Sequence, residues 1–142
     1  MTGVQTCALP ISTGEEKALK NFSSSLSWHS LGEGFTWETQ DRIRDEKLVR
    51  EAWQLAKKYI QDESYKLIIL DEINIATKLG YLAPEEIITF LKSLKNRENH
   101  VVLTGRGASD LMINYADLVT EMKLIRHPFK EQGIKAQKCV EF

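Results

Sequence analysis

The most constraining stretch of the chain is Lys66–Leu70 with the two acids that follow it, KLIILDE. A short run that is apolar on both faces suits a strand of a parallel sheet covered by helices on each side. Asp71 and Glu72 then stand where that strand leaves the sheet, and open α/β sheets bind their ligands at this carboxyl edge. A Walker-B element has the same layout, because its acid must emerge from apolar sheet just where a Mg2+–nucleotide complex sits. Taken alone, the pattern reads equally well as a strand capped by acids or as the start of the next helix.

The surrounding pattern supports the strand. Ser27–Leu31 (SWHSL) alternates as a short strand and is followed by the break Gly32-Glu33-Gly34. A long helix is expected from about Trp37, with Thr36 or Thr39 as its cap. Val49, Ala52, Trp53, Ala56, Tyr59 and Ile60 form its apolar stripe. Pro84 with Glu85 and Glu86 marks another helix start, proline in the first turn and acids near the positive end of the dipole. This helix turns Ile87, Ile88, Leu91 and Leu94 inward. His100–Leu103 (HVVL) is the next buried strand, stopped by Thr104-Gly105-Arg106-Gly107. A short helix over Ser109–Tyr115, an alternating strand over Leu118–Ile125 and a final strand or edge within Ile134–Phe142 complete the expectation. Strands and helices in this rhythm predict an α/β fold with a mainly parallel sheet.

Composition removes several function classes. The 142 residues carry 19 basic and 20 acidic side chains, a formal net charge of −1 that gives no electrostatic case for nucleic acid or an anionic membrane. Cys7 and Cys139 lie at opposite ends, without the spacing of a zinc site or a redox motif, and the cysteine usage favours an intracellular setting. His29, His100 and His127 are equally scattered. No apolar run is long enough to span a bilayer. Residues 1–12 fail as a signal peptide, with no basic start and a short apolar core broken by Pro10. The Asn21-Phe22-Ser23 sequon is therefore read as a chance match.

Two further motifs bear on chemistry. In LGEGFTWETQDR, Phe35 and Trp37 follow a glycine pair; in an extended chain, aromatics two apart share a side and make a flat apolar platform. The plainer reading has them plug the base of the long helix. In HVVLTGRG, Arg106 leaves a strand end between glycines, within reach of phosphate oxygens. An exposed turn arginine is the competing reading. A Walker-B element implies a G-x-x-x-x-G-K-[ST] loop upstream, and the chain contains no Gly-Lys dipeptide.

Together GEGFTWETQDR, LDEIN, TGRGA, ADLVTEMK and the closing HPF, GIKAQ and EF resemble the P-loop type of ATP:corrinoid adenosyltransferase, in order, from about Thr13 to Phe142. The resemblance implies a P-loop NTPase-like sheet flanked by helices. It implies transfer of the 5′-deoxyadenosyl group of ATP to the Co(I) of a corrinoid, with release of triphosphate. Phe35 and Trp37 match the aromatics that displace the lower axial ligand of cobalt, which eases reduction of the metal. Glu72, with Asp71 beside it, matches the acid that holds Mg2+ on the triphosphate. Arg106 and the Thr104-Gly105 turn match a segment facing the nucleotide or a subunit interface. Family members are cytoplasmic homodimers that take electrons from reduced flavoproteins.

Residues 1–12 match nothing expected of that family and resemble translated sequencing-adapter sequence. The expectation is therefore a non-native segment over 1–12 and the C-terminal portion of one adenosyltransferase domain over 13–142. The first, phosphate-loop strand would be missing, its neighbours left with unpaired edges, and the chain would bind ATP poorly and be inactive or nearly so as a transferase. The alternatives are a fragment of a P-loop ATPase or helicase, and a non-catalytic corrinoid-binding module.

Overall fold

A computed structural model describes residues 3–7, 18, 19, 21, 26–30 and 42–135. Four parallel strands form one sheet: β1 (Gly3–Cys7), β2 (Leu26–Ser30), β3 (Leu67–Leu70) and β4 (His100–Leu103), in the order β2-β1-β3-β4. Helix α1 (Arg42–Gln61) connects β2 to β3, and α2 (Ile73–Lys78) and α3 (Pro84–Ser93) connect β3 to β4. Helices α4 (Asp110–Tyr115) and α5 (Pro128–Gln132) follow β4. The mixed α/β architecture with a parallel sheet is the one expected.

The expected gap in the sheet is not found. Gly3–Cys7 runs between β2 and β3, parallel to both, with Val4 opposite Ser27 on one side and Ile68 on the other. A strand there satisfies the backbone donors and acceptors of both neighbours, which a gap would leave without partners.

The core lies against one face of the sheet. Ile68 and Leu70 are 0% and 1% exposed, and the register sets Val101 and Leu103 beside them on the same face. Against this face pack Trp53, Ala56 and Ile60 of α1, Leu82, Ile87, Ile88 and Leu91 around α3, and Met112 of α4. Burying a large aliphatic side chain of this kind contributes about 1.5–3 kcal/mol. The opposite face is less covered than expected: Leu67 and Ile69 are half-buried and Val102 is 41% exposed. Leu118–Ile125 is not a strand; it is irregular and exposed, because no strand among the described residues pairs with it. Residues 31–41 and 136–142, which include the expected start of the long helix and most of the closing strand, lie outside the described residues.

Polar contacts then fix how the elements sit. The indole of Trp53 donates to Glu86 Oε1 at 2.8 Å, joining α1 to α3, and Arg50 approaches the other Glu86 oxygen at 3.8 Å. The Asn99 amide donates to the Ile60 carbonyl at 2.8 Å, satisfying an acceptor near the α1 carboxyl end. His29 Nε2 and the Tyr59 hydroxyl lie 2.6 Å apart, tying β2 to α1, and Tyr59 meets Tyr65 edge to face. Burial lowers the pKa of His29 below its ordinary value of 6.5.

Candidate functional site

The carboxyl ends of β3 and β4 meet in a small polar cluster. The β3–β4 ladder extends one step beyond the strands, as the Thr104 amide donates to the Leu70 carbonyl at 3.2 Å. This sets Thr104 beside the first acid, and its hydroxyl donates to Asp71 Oδ1 at 2.6 Å. The Thr104 hydroxyl oxygen in turn accepts from the Glu72 amide at 3.0 Å. One side chain thus ties both acids to the end of the neighbouring strand.

Glu72 has φ 60° and ψ 17°, a left-handed conformation that side-chain-bearing residues seldom adopt. Strain of this kind costs about 1–3 kcal/mol and persists only where the surroundings over-determine it. Here the chain turns sharply from β3 into α2. Beyond the turn, the Asn74 amide donates to the Thr104 carbonyl at 3.1 Å, and its side-chain nitrogen donates to the Gly105 carbonyl at 3.1 Å. Gly105 has φ 115° and lies so close that a Cβ there would stand 3.2 Å from Glu72 Cα, Glu72 Oε2 and Asn74 Cβ. Only a glycine lets the two turns come this near.

Two oxygens of the cluster are buried without a hydrogen-bond partner among the described residues: Glu72 Oε2 and Asn74 Oδ1. Leaving a buried acceptor unsatisfied costs about 1–3 kcal/mol, so each of these oxygens calls for a donor or a cation. The cluster offers oxygen atoms only, and no third His, Cys or acid joins it to form a metal-binding group among the described residues. One or two carboxylates completed by water and phosphate oxygens is the donor set Mg2+ takes at nucleotide sites. The residues therefore fit such an ion at Glu72, with Asp71 adjacent and already accepting from Thr104.

Asp71, Glu72, Thr104 and Gly105 meet at the carboxyl ends of β3 and β4. Arg106 follows on the same turn and is exposed, and the Lys78 side chain lies 3.0 Å from where a Gly107 Cβ would stand. Phe35 and Trp37 lie outside the described residues. Asn74 is the residue that sequence reasoning passed over. Its signal was weak, a single amide two positions beyond the acid in LDEIN, but it is 5% exposed and bonds across both turns. Two surface concavities, one along α1 from Ile43 to Gln54 and one between the end of α1 and the loop before β4, do not include this edge.

The family model described as "ATP:corrinoid adenosyltransferase BtuR/CobO/CobP" matches residues 7–142. A corrinoid adenosyltransferase of Sinorhizobium sp is 51% identical over 133 residues, covering 93% of this chain and 62% of that protein. One from Pseudomonas aeruginosa is 50% identical over 131 residues, covering 92% and 64%. One from Escherichia coli K12 is 35% identical over 117 residues, covering 82% and 59%. The chain therefore spans about three-fifths of the length of these curated relatives.

Proposed function

The chain belongs to the ATP:corrinoid adenosyltransferase family, and from that premise we propose that it serves transfer of the 5′-deoxyadenosyl group from ATP to the cobalt of a corrinoid. In this reaction Co(I) of the substrate attacks C5′, the C5′–O bond breaks, and its electron pair leaves on triphosphate as the Co–C bond forms. The observation that carries the reading is the Glu72 carboxylate at the end of β3, with one oxygen buried and unpaired in a chain of this family.

The residues divide by task. Glu72, with Asp71, holds Mg2+, which when bound neutralises charge on the triphosphate leaving group. Thr104 and Gly105 keep the two acids at the sheet edge, and Arg106, exposed on the same turn, meets phosphate oxygens. Phe35 and Trp37 form the wall that excludes the lower axial ligand. A P-loop type of fold, a homodimer, a reduced flavoprotein donor and a cytoplasmic setting belong to the same reading. So does little or no transfer by these 142 residues alone, since they contain no Gly-Lys dipeptide to cradle phosphate.

Product analysis with ATP and chemically reduced cobalamin tests the reaction. Little or no product is expected, and what forms should be triphosphate and adenosylcobalamin in equal amounts; fast turnover would refute the impairment, and ADP with orthophosphate would instead make the chain an ATP hydrolase. Cob(II)alamin spectra give the second readout. The four-coordinate signature is expected with the chain and lost in Phe35→Ala with Trp37→Ala, and its persistence in that variant would refute the aromatic role.

A further inference from the structure

Asn74 belongs to the cluster in a way its hydrogen bonds do not exhaust. Its side chain is 5% exposed, and the Gly105 carbonyl fixes which way the amide points, because only the nitrogen can donate there. That orientation leaves Oδ1 as a buried acceptor without a partner among the described residues. Glu72 Oε2 is the other such atom, and it stands as close to the Gly105 Cβ position as Asn74 Cβ does, 3.2 Å in each case. Both acceptors belong to side chains that crowd the Gly105 turn, and neither has a donor among the described residues. Thr104 cannot supply one, because its single proton goes to Asp71 Oδ1.

Two hard oxygens of this kind, one a carboxylate and one a carboxamide, are the ligands that bind oxygen-seeking divalent cations. We propose that Asn74 Oδ1 is a second oxygen donor, beside Glu72 Oε2, to the same hydrated divalent cation. The inference rests on the reading of Glu72 as the metal-holding acid and adds a residue to it. The carboxamide then does two things: its nitrogen holds the Gly105 turn, and its oxygen faces the cation or one of its waters.

Direct binding of Mn2+ to the purified chain, followed by loss of the free-ion electron paramagnetic resonance signal, separates the possibilities. Glu72→Gln should abolish binding; unaltered binding in this variant, or no binding by the parent chain, overturns the underlying reading together with the proposal. With that reading intact, Asn74→Ala should weaken Mn2+ affinity by about tenfold, the lower end of what supporting groups around a metal contribute. Asn74→Asp supplies the discriminating result, since it loses the bond to the Gly105 carbonyl but keeps an oxygen and adds charge. Affinity at or above that of the parent chain in Asn74→Asp supports a donor role. Equal losses in both Asn74 variants would reduce Asn74 to a turn latch, and unchanged affinity in Asn74→Ala would show that the cation takes no oxygen from Asn74; either result overturns the proposal. Should Asn74→Ala fail to fold, Asn74→Asp against the parent chain decides alone, with weakened binding as the refuting result.

Discussion

Replacing Gly105 by alanine tests how tightly the two turns are joined. The residue has φ 115°, where a side chain costs about 1–3 kcal/mol. The new Cβ would also stand 3.2 Å from Glu72 Cα, Glu72 Oε2 and Asn74 Cβ. Glu72 Cα is backbone and cannot swing aside, so β3 and β4 must separate by a few tenths of an ångström. Forced overpacking of this sort costs about 1–3 kcal/mol, which brings the whole penalty to about 2–6 kcal/mol. Gly133→Ala is the internal control. Gly133 follows α5 with φ 69° and has nothing within 4 Å of its Cβ position, so only the conformational cost of about 1 kcal/mol applies. Urea unfolding of both variants, compared at constant slope, reads the difference directly. Gly105→Ala is expected to be the more damaging by at least about 1 kcal/mol. Equal losses in the two variants would show that the approach of Gly105 to Glu72 carries no energetic weight, and the account of a tightly joined site would fail.

Thr104→Val keeps the shape but removes the hydroxyl that bonds both Asp71 and the Glu72 amide. A loss of about 1–2 kcal/mol is expected in the same urea assay, and an unchanged midpoint would contradict the bridging role. Trp53→Phe removes the donor to Glu86 Oε1 from a residue 1% exposed, and should lower stability by about 1–3 kcal/mol; Glu86→Gln, which keeps an acceptor there, should cost less. His29 supplies a pH dependence. Its folded pKa lies below 6.5, so as pH falls through 6.5 the unfolded chain takes up the proton first. The His29 contribution is complete above pH 6.5, declines as pH falls below it, and levels off under the folded pKa. Urea midpoints at pH 7.5 and 5.5 should therefore fall further in the parent chain than in His29→Gln, and parallel falls would refute the assignment.

What the sequence made legible follows from local physics. KLIIL and HVVL read as strands because a continuous apolar run needs a sheet, and they lie within one residue of β3 and β4. Pro84-Glu85-Glu86 located α3 because proline and acids suit a helix start and little else. Ser109, the first residue of the expected helix, accepts from the Met112 amide as the cap of α4, which begins one residue later. Patterns that name a surface but not its partner were less informative. Leu118–Ile125 alternates like a strand, yet Leu118 and Ile125 are more than four-fifths exposed because alternation cannot supply the neighbouring strand. Gly3–Cys7 went unread as a strand for the converse reason. Five residues with Val4 and Thr6 carry only a weak β signal, and pairing on both sides with β2 and β3 makes the strand. Within the site, the acids stood out by following an apolar run. Asn74 did not, because its importance lies in bonds to Gly105, thirty-one positions away.

The chemistry of the edge also depends on the apolar middle of the sheet. Strand β3 has side chains on alternate faces, and the core takes Ile68 and Leu70 from one of them. The same face of β4 gives Val101 and Leu103, which fixes Leu70 opposite Leu103. A slip of one residue would turn Leu103 away from the core and bring a neighbour of the other face in, so burial selects against it. With that register set, Thr104 has one place to go, beside Asp71 and under the Glu72 amide. Glu72 then turns left-handed, Asn74 bonds across to Gly105, and Glu72 Oε2 and Asn74 Oδ1 are left without a donor among the described residues. The polar edge is thus not an independent decoration of the fold. Burial of four aliphatic side chains aligns the strand ends, and the aligned ends force the acid and the amide together.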